Sequence, residues 1–225
     1  MEPHSERPPE AQPLPRENRQ WTPLARALAA TGHQWTLLIV LALAGSPQRL
    51  SALRAHLPGI STGVLNRHLQ MMVEQELVVR QRFRELPPRV EYRLGAKGEA
   101  LLPIVTALAR WGMSHMWSDP QPSERIDIGA LLRLLPALVE RVGLPEGVVE
   151  MVVELPKGSE CHVFDIAGDR IEPVERGAML AWTRIVGQPS AWIQALGPEG
   201  DTGALRITGE QPLAMRLLAA LQLRA

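Results

Sequence analysis

The stretch from Leu50 to Glu76, with the basic segment after it, restricts what this chain can fold into more than any other. Leu50, Leu53 and Leu57 recur at helical spacing. Pro58-Gly59 then ends the helix, because proline has no amide to continue it and glycine accepts left-handed dihedrals. Ser61 stands where a second helix should begin, with a hydroxyl able to cap its first free amides. In that helix Val64, Leu65, Leu69, Met72 and Val73 form one apolar stripe. The opposite face carries Thr62, Gly63, Asn66, Arg67 and Gln70, with no acid before Glu74. Such a face suits the DNA major groove, where arginine reads guanine and asparagine or glutamine reads adenine.

A hairpin follows at once. Val78 to Arg84 and Val90 to Leu94 read as strands, separated by Glu85-Leu86-Pro87-Pro88. The strands and their connection carry Arg80, Arg82, Arg84, Arg89 and Arg93. Helix, turn, helix and basic hairpin together predict a winged helix-turn-helix that binds double-stranded DNA. Asn66, Arg67 and Gln70 are the candidate base contacts. Ser61, Thr62 and Gly63 would approach the backbone at the helix N-terminus, and Arg82, Arg84 and Arg89 would meet phosphate or the minor groove. Arg80 and Arg93, nearer the strand ends, are weaker candidates.

The ordered runs "GHQWTLLIVLAL" (Gly32 to Leu43), "LPGIS" (Leu57 to Ser61), "VLNRHL" (Val64 to Leu69), "LPPRVEYRL" (Leu86 to Leu94) and "KGEALLPIVTALARWG" (Lys97 to Gly112) resemble the HxlR-type winged-helix regulators. The resemblance spans about Trp21 to Met116 and implies a dimeric DNA-binding repressor or activator without a catalytic centre. It places the helix starting near Thr22-Pro23 in the dimer interface. Many relatives carry a cysteine just before that proline, and some sense oxidants with it; here the position is Thr22, so thiol sensing is not implied. At His68 many relatives carry arginine, which weakens one expected contact to phosphate or to an internal acid.

Formal net charge is zero, but its distribution is uneven. Gln48 to Gly98 holds nine Lys and Arg against four Asp and Glu, a local net of +5. Asp119 to Ala225 holds ten against fifteen, a local net of −5. This predicts a DNA-facing domain joined to one that avoids DNA. The single cysteine, Cys161, excludes an intrachain disulfide. The Pro- and Glu-rich start is not a signal peptide, and the apolar run Trp35 to Ala44 is too short to span a bilayer, so a cytoplasmic protein without membrane contact is expected.

The expected organisation is α+β: a disordered segment over 1–19, a winged helix-turn-helix dimerisation domain over 20–118, a linker over 119–125 and an α/β domain over 126–225. One helix is predicted from Ala96 to about Trp117, apolar on more than one side, as for a helix that pairs with its twin or packs on the second domain. In the second half, Ile126 to Val142 reads as a helix in which Pro136 can introduce a kink. Val148 to Leu155, Glu160 to Ile166, Arg170 to Glu175, Met179 to Val186 and Gly203 to Thr208 read as strands or strand candidates. Pro189 to Leu196 and Gln211 to Leu223 read as helices. This order, with "SAWIQAL" and "GALRITGEQPLAMRLLAALQL", is similar to sterol-carrier-protein-type domains, which hold apolar molecules. Met151, Met179, Trp182, Trp192 and Met215 are therefore candidate ligand contacts, although residues of this kind are more often plain core than pocket.

Enzymatic signatures are missing: no Gly-x-Ser-x-Gly, phosphate loop or dinucleotide fingerprint occurs. Cys161 and His162 are adjacent in a strand and point to opposite faces. His33, His56 and His68 fit no metal template, and no cofactor is implied. The leading expectation is a dimeric transcription factor responsive to an apolar small molecule. Its competitors are a regulator whose second domain only supports dimerisation, and a lipid-binding or transfer protein with no DNA role.

Overall fold

The structure, a computed structural model, describes residues 22–84, 88–139, 143–168, 170–175 and 180–222. The predicted segment over 1–19 and the hairpin tip over 85–87 lie outside the described residues.

The first helix, α1 (Pro23–Thr31), is capped by Thr22, whose Oγ1 accepts from the Ala25 amide at 3.0 Å. In α2 (Gln34–Leu43) Ile39, Val40, Ala42 and Leu43 are buried, and Trp35 packs half-buried against them. α3 (Leu50–His56) and α4 (Thr62–Glu74) form the helix-turn-helix, with Gly59 at φ +87° in the turn between them. Ser61 caps α4 as its sequence position requires, its Oγ accepting from the Val64 amide at 3.3 Å. β1 (Val78–Phe83) pairs antiparallel with β2 (Arg89–Leu94), from Val78 opposite Leu94 to Phe83 opposite Arg89. Gln48, in the α2–α3 loop, exchanges both backbone hydrogen bonds with Tyr92 at 2.8 Å, which ties that loop to the hairpin.

The helix predicted from Ala96 to Trp117 is two helices, α5 (Ala96–Glu99) and α6 (Leu102–His115). Pro103 has no amide to offer the Glu99 carbonyl, and its ring crowds that oxygen, so the helix restarts. The same cause divides the predicted helix over Ile126 to Val142 at Pro136, giving α7 (Ile128–Arg133) and α8 (Leu135–Leu138). Asp127 caps α7 by accepting from the Ala130 amide at 2.9 Å.

The C-terminal half continues with β3 (Gly147–Leu155), β4 (Gly158–Ala167), β5 (Arg170–Val174), β6 (Thr183–Gly187), α9 (Pro189–Leu196), β7 (Arg206–Gly209) and α10 (Gln211–Leu221). The sheet order is β5-β4-β3-β6-β7; β3 and β6 run parallel and the other pairs antiparallel. The strand candidate from Met179 begins only at Thr183, and Met179 lies outside the described residues. Val149, Met151, Val153, Phe164, Ile166 and Ile185 share the face packed against α7 to α10.

The two halves share one continuous buried core. Arg110 of α6 donates to the Leu138 carbonyl at 2.7 Å, and Arg125 donates to the Ala55 carbonyl at the end of α3 at 2.6 Å. Residues 116–127 contain no helix or strand.

Candidate nucleic-acid interface

The recognition face follows from how α4 is seated. Leu65, His68, Leu69 and Met72 are buried, which turns Ser61, Thr62, Gly63, Asn66, Arg67 and Gln70 to solvent. All six expected contacts therefore lie on one exposed surface. Arg54 of α3 donates to Thr62 Oγ1 at 3.3 Å, adding a cation beside the N-terminus of α4. A Cβ built on Gly63 would meet no atom within 4 Å, so the glycine leaves an open approach there. Gln70 is engaged in the free protein: its side-chain amide donates to Glu74 Oε1 at 3.1 Å. Reading an adenine through that amide requires release of Glu74.

His68 is not on this face. Its ring packs 4.3 Å from that of His33, and its Nδ1 is buried without a hydrogen-bond partner. Burial, with the neighbouring charges of His33 and Arg67, holds its pKa below the ordinary imidazole value. The position contributes to packing between α2 and α4 rather than to a phosphate contact or an internal acid.

On the hairpin Arg82 and Arg84 are exposed. Arg89 is folded onto the wing itself: its guanidinium lies 4.2 Å from the Phe83 ring centroid and its Nε 3.3 Å from Glu91. Glu91 also faces Arg49 at 3.8 Å. The register sets Phe83 directly opposite Arg89, and this cross-strand pairing, not charge alone, decides which arginines stay extended. At the base of the hairpin Lys97 bonds Glu76, whose carboxyl is held below its ordinary pKa by that contact.

Of the candidate ligand residues of the second half, Met179 lies outside the described residues, and the other four divide into two that are buried and two that are exposed. Met151 and Trp192 are fully buried, and the Trp192 indole donates to the Val152 carbonyl at 3.1 Å. Met151, on the central strand β3, has no accessible surface and belongs to the core cluster. Trp182, just before β6, is 57 % exposed. Met215 is 45 % exposed because it falls off the buried stripe of Leu213, Ala214, Leu217, Leu218 and Leu221 on α10. A cavity of about 680 Å³ is lined by other residues and lies between the two halves.

A helix-turn-helix with an exposed, acid-free recognition face and a basic hairpin defines a winged-helix DNA-binding protein. The sequence model of the HxlR-like helix-turn-helix family matches residues 30–120. An uncharacterized HTH-type transcriptional regulator, YvaP, from Bacillus subtilis (strain 168) is 36 % identical over 95 residues, 42 % of this chain and 86 % of that protein. A second uncharacterized HTH-type regulator, from Methanothermobacter thermautotrophicus, is 35 % identical over 89 residues, 40 % of this chain and 68 % of its own length. A solved structure described as a candidate MarR-family regulator from Porphyromonas gingivalis W83 is 31 % identical, covering 46 % of this chain and 99 % of that one, with a TM-score of 0.41. The chain belongs to the HxlR-like helix-turn-helix family, whose members are transcriptional regulators rather than enzymes. Among the described residues no helix is long and apolar enough to cross a membrane.

Proposed function

We propose that this chain is a homodimeric transcriptional regulator that reads an inverted-repeat operator and responds to a small molecule through its C-terminal half. The observation that carries the DNA reading is the α4 face: Asn66 and Arg67 exposed side by side, with no acid before Glu74. Asn66, Arg67 and Gln70 read bases, Thr62 and Gly63 meet the backbone, and Arg82 and Arg84 grip phosphate or the minor groove. Arg89 joins them only if it leaves Phe83 and Glu91. Operator binding by fluorescence anisotropy tests the assignment. Arg67→Ala is expected to cost about 1–3 kcal/mol and to relax preference at one base pair. Arg82→Ala and Arg84→Ala are expected to weaken specific and nonspecific binding alike, each lowering the salt slope by about one ion. Unchanged sequence preference in Arg67→Ala would refute the face; a sequence-selective loss at constant salt slope would refute the wing.

Dimerisation is supported by apolar side chains that the single chain leaves uncovered. Leu24 and Leu28 on α1, Ile104, Leu108 and Trp111 on α6 and Met116 after it are each more than half exposed. Ile104, Leu108 and Trp111 follow at helical spacing, so they form one face. Pairing through α1 and α6 buries this surface and sets the recognition helices about 34–36 Å apart, one turn of DNA. By light scattering at micromolar concentration the protein is expected to be a dimer, and Leu108→Glu/Trp111→Glu a monomer with little operator affinity. A monomeric wild type sinks the arrangement.

We place the boundary between DNA-binding and C-terminal units within 119–125. The sterol-carrier-type reading of the second unit rests on its order of helices and strands. Because Met151 and Trp192 are packed in its interior, the responsive site is not assigned to that interior.

A further inference from the structure

We propose that the cleft between the winged helix and the C-terminal half binds a compact apolar molecule carrying one protonated amine. This deepens the ligand-responsive reading above and rests on it. The cleft, about 680 Å³, is large enough for a drug-sized molecule. One part of its wall is apolar, formed by Leu102, Leu134, Pro136, Phe164 and Val174. The remainder includes Arg133, Glu160, His162, His56 and Glu175.

The arrangement of charge selects the class of ligand. Among the described lining residues Arg133 is the single guanidinium, and it is committed: Nη1 lies 3.1 Å from Glu160 and Nη2 3.5 Å from Asp127, behind the wall. A carboxylate ligand would have to displace one of these acids from a side chain only 9 % exposed. Among the described residues Asp127 and Glu160 share the one guanidinium, Glu175 adds a further carboxylate to the lining, and His56 and His162 offset this charge only when protonated. Glu160 accepts from both Arg133 and His162, the latter also at 3.1 Å. It lies flat on α7, where Gly129 makes room for it; a Cβ there would sit 2.1 Å from Glu160 Oε1. With His56 and His162 neutral, an ammonium group entering beside Glu160 and Glu175 meets more carboxylate than cation among the described residues, while its apolar body meets Leu134, Pro136 and Phe164.

The cleft touches the DNA-binding parts directly. Its wall includes the loop from Ala44 to Gln48, whose Gln48 pairs with Tyr92 of the wing. It also includes His56 at the end of α3, 3.6 Å from Asp127. A ligand that changes the separation of these walls therefore acts on both the wing and the helix preceding α4. Coupling arises only to the extent that the ligand favours one separation over another.

The test uses the full chain and three matched probes: 9-anthracenylmethylamine, 9-anthracenemethanol and 9-anthracenecarboxylate, titrated by calorimetry without DNA. The amine is expected to bind about tenfold or more tighter than the alcohol, as for a hydrogen bond to a charged group, with the carboxylate weakest. Glu160→Gln and, on the exposed rim, Glu175→Gln are each expected to shrink the amine's advantage severalfold; Glu175→Gln keeps the test valid if Glu160→Gln fails to fold. Equal affinities, a carboxylate that binds tightest, an amine preference untouched by Glu175→Gln, or no binding of any probe overturns the site. Operator binding with and without the amine is read separately, with a shift of about fivefold or more expected. A bound amine that leaves operator affinity unchanged overturns the regulatory reading and not the site.

Discussion

Trp192→Ala is expected to destabilise the C-terminal half by about 3–5 kcal/mol, the range for deleting a fully buried large aromatic side chain. Trp192 is fully buried where α9 packs on the sheet beneath Gly187 and Leu205. Its indole N–H donates to the Val152 carbonyl in the central strand. Truncation removes the ring together with its hydrogen bond to Val152 and opens a cavity that α9 cannot close without leaving the sheet. Trp192→Phe keeps most of the packing but loses the hydrogen bond, so a smaller loss of about 1–3 kcal/mol is expected. Urea unfolding followed by circular dichroism measures both. A loss below about 1 kcal/mol for Trp192→Ala would show that the residue borders open space, as a ligand-contact role requires.

That outcome turns on a distinction the sequence does not carry. Apolar identity and helical spacing say that Trp192 is covered, but not whether by protein or by ligand. Met151 is ambiguous in the same way, whereas Trp182 and Met215 are exposed for positional reasons, one preceding its strand and the other lying off the buried stripe of α10. The helix-turn-helix was legible because its determinants are local: the Ser61 cap, the Gly59 turn and the stripe of Leu65, Leu69 and Met72. The breaks at Pro103 and Pro136 were also written locally and follow from the missing amide. Arg89 could have been set apart by pairing the hairpin in register, which puts it across from Phe83. The cleft could not have been read. Its walls come from the α2–α3 loop, the end of α3, the start of α6, the region around α7 and α8, and the two strands β4 and β5, and no spacing in the sequence links His56 to Asp127 or Arg133 to Glu160.

The charged cluster at that junction carries the second large effect. Burial raises the pKa of Asp127, but its contact with His56 and the charge of Arg133 bring it below its ordinary 3.8. The hydrogen bond from His162 draws Glu160 below its ordinary 4.5 against the opposing effect of burial, and Arg133 adds to it. Both groups are depressed on folding. Their contribution is therefore fully present above these ordinary values and is lost as pH falls through the lower folded ones. Arg133→Met keeps much of the side-chain volume but leaves two largely buried carboxylates facing each other without their guanidinium. Breaking a buried pair costs about 3–5 kcal/mol; because Asp127 and Glu160 are each about a quarter exposed, solvent screening reduces the expectation to about 2–3 kcal/mol at pH 7. The pH dependence of the loss follows from the same contacts. Without Arg133 both carboxylates lose a neighbouring positive charge, so their folded-state pKa values move up from those of the wild type, while the contacts of Glu160 with His162 and of Asp127 with His56 remain. The deficit of Arg133→Met relative to wild type is then largest near neutrality and shrinks as pH falls toward about 4. Adding Glu160→Gln to Arg133→Met removes one uncompensated charge and is expected to restore part of the loss. Urea unfolding of wild type, single and double variants at pH 7 and pH 5 reads all three effects. A deficit that grows as pH falls, or a double variant less stable than the single one, contradicts the pairing of Arg133 with Asp127 and Glu160 as an electrostatic tie within the C-terminal half, where Asp127 also meets His56 of the N-terminal half.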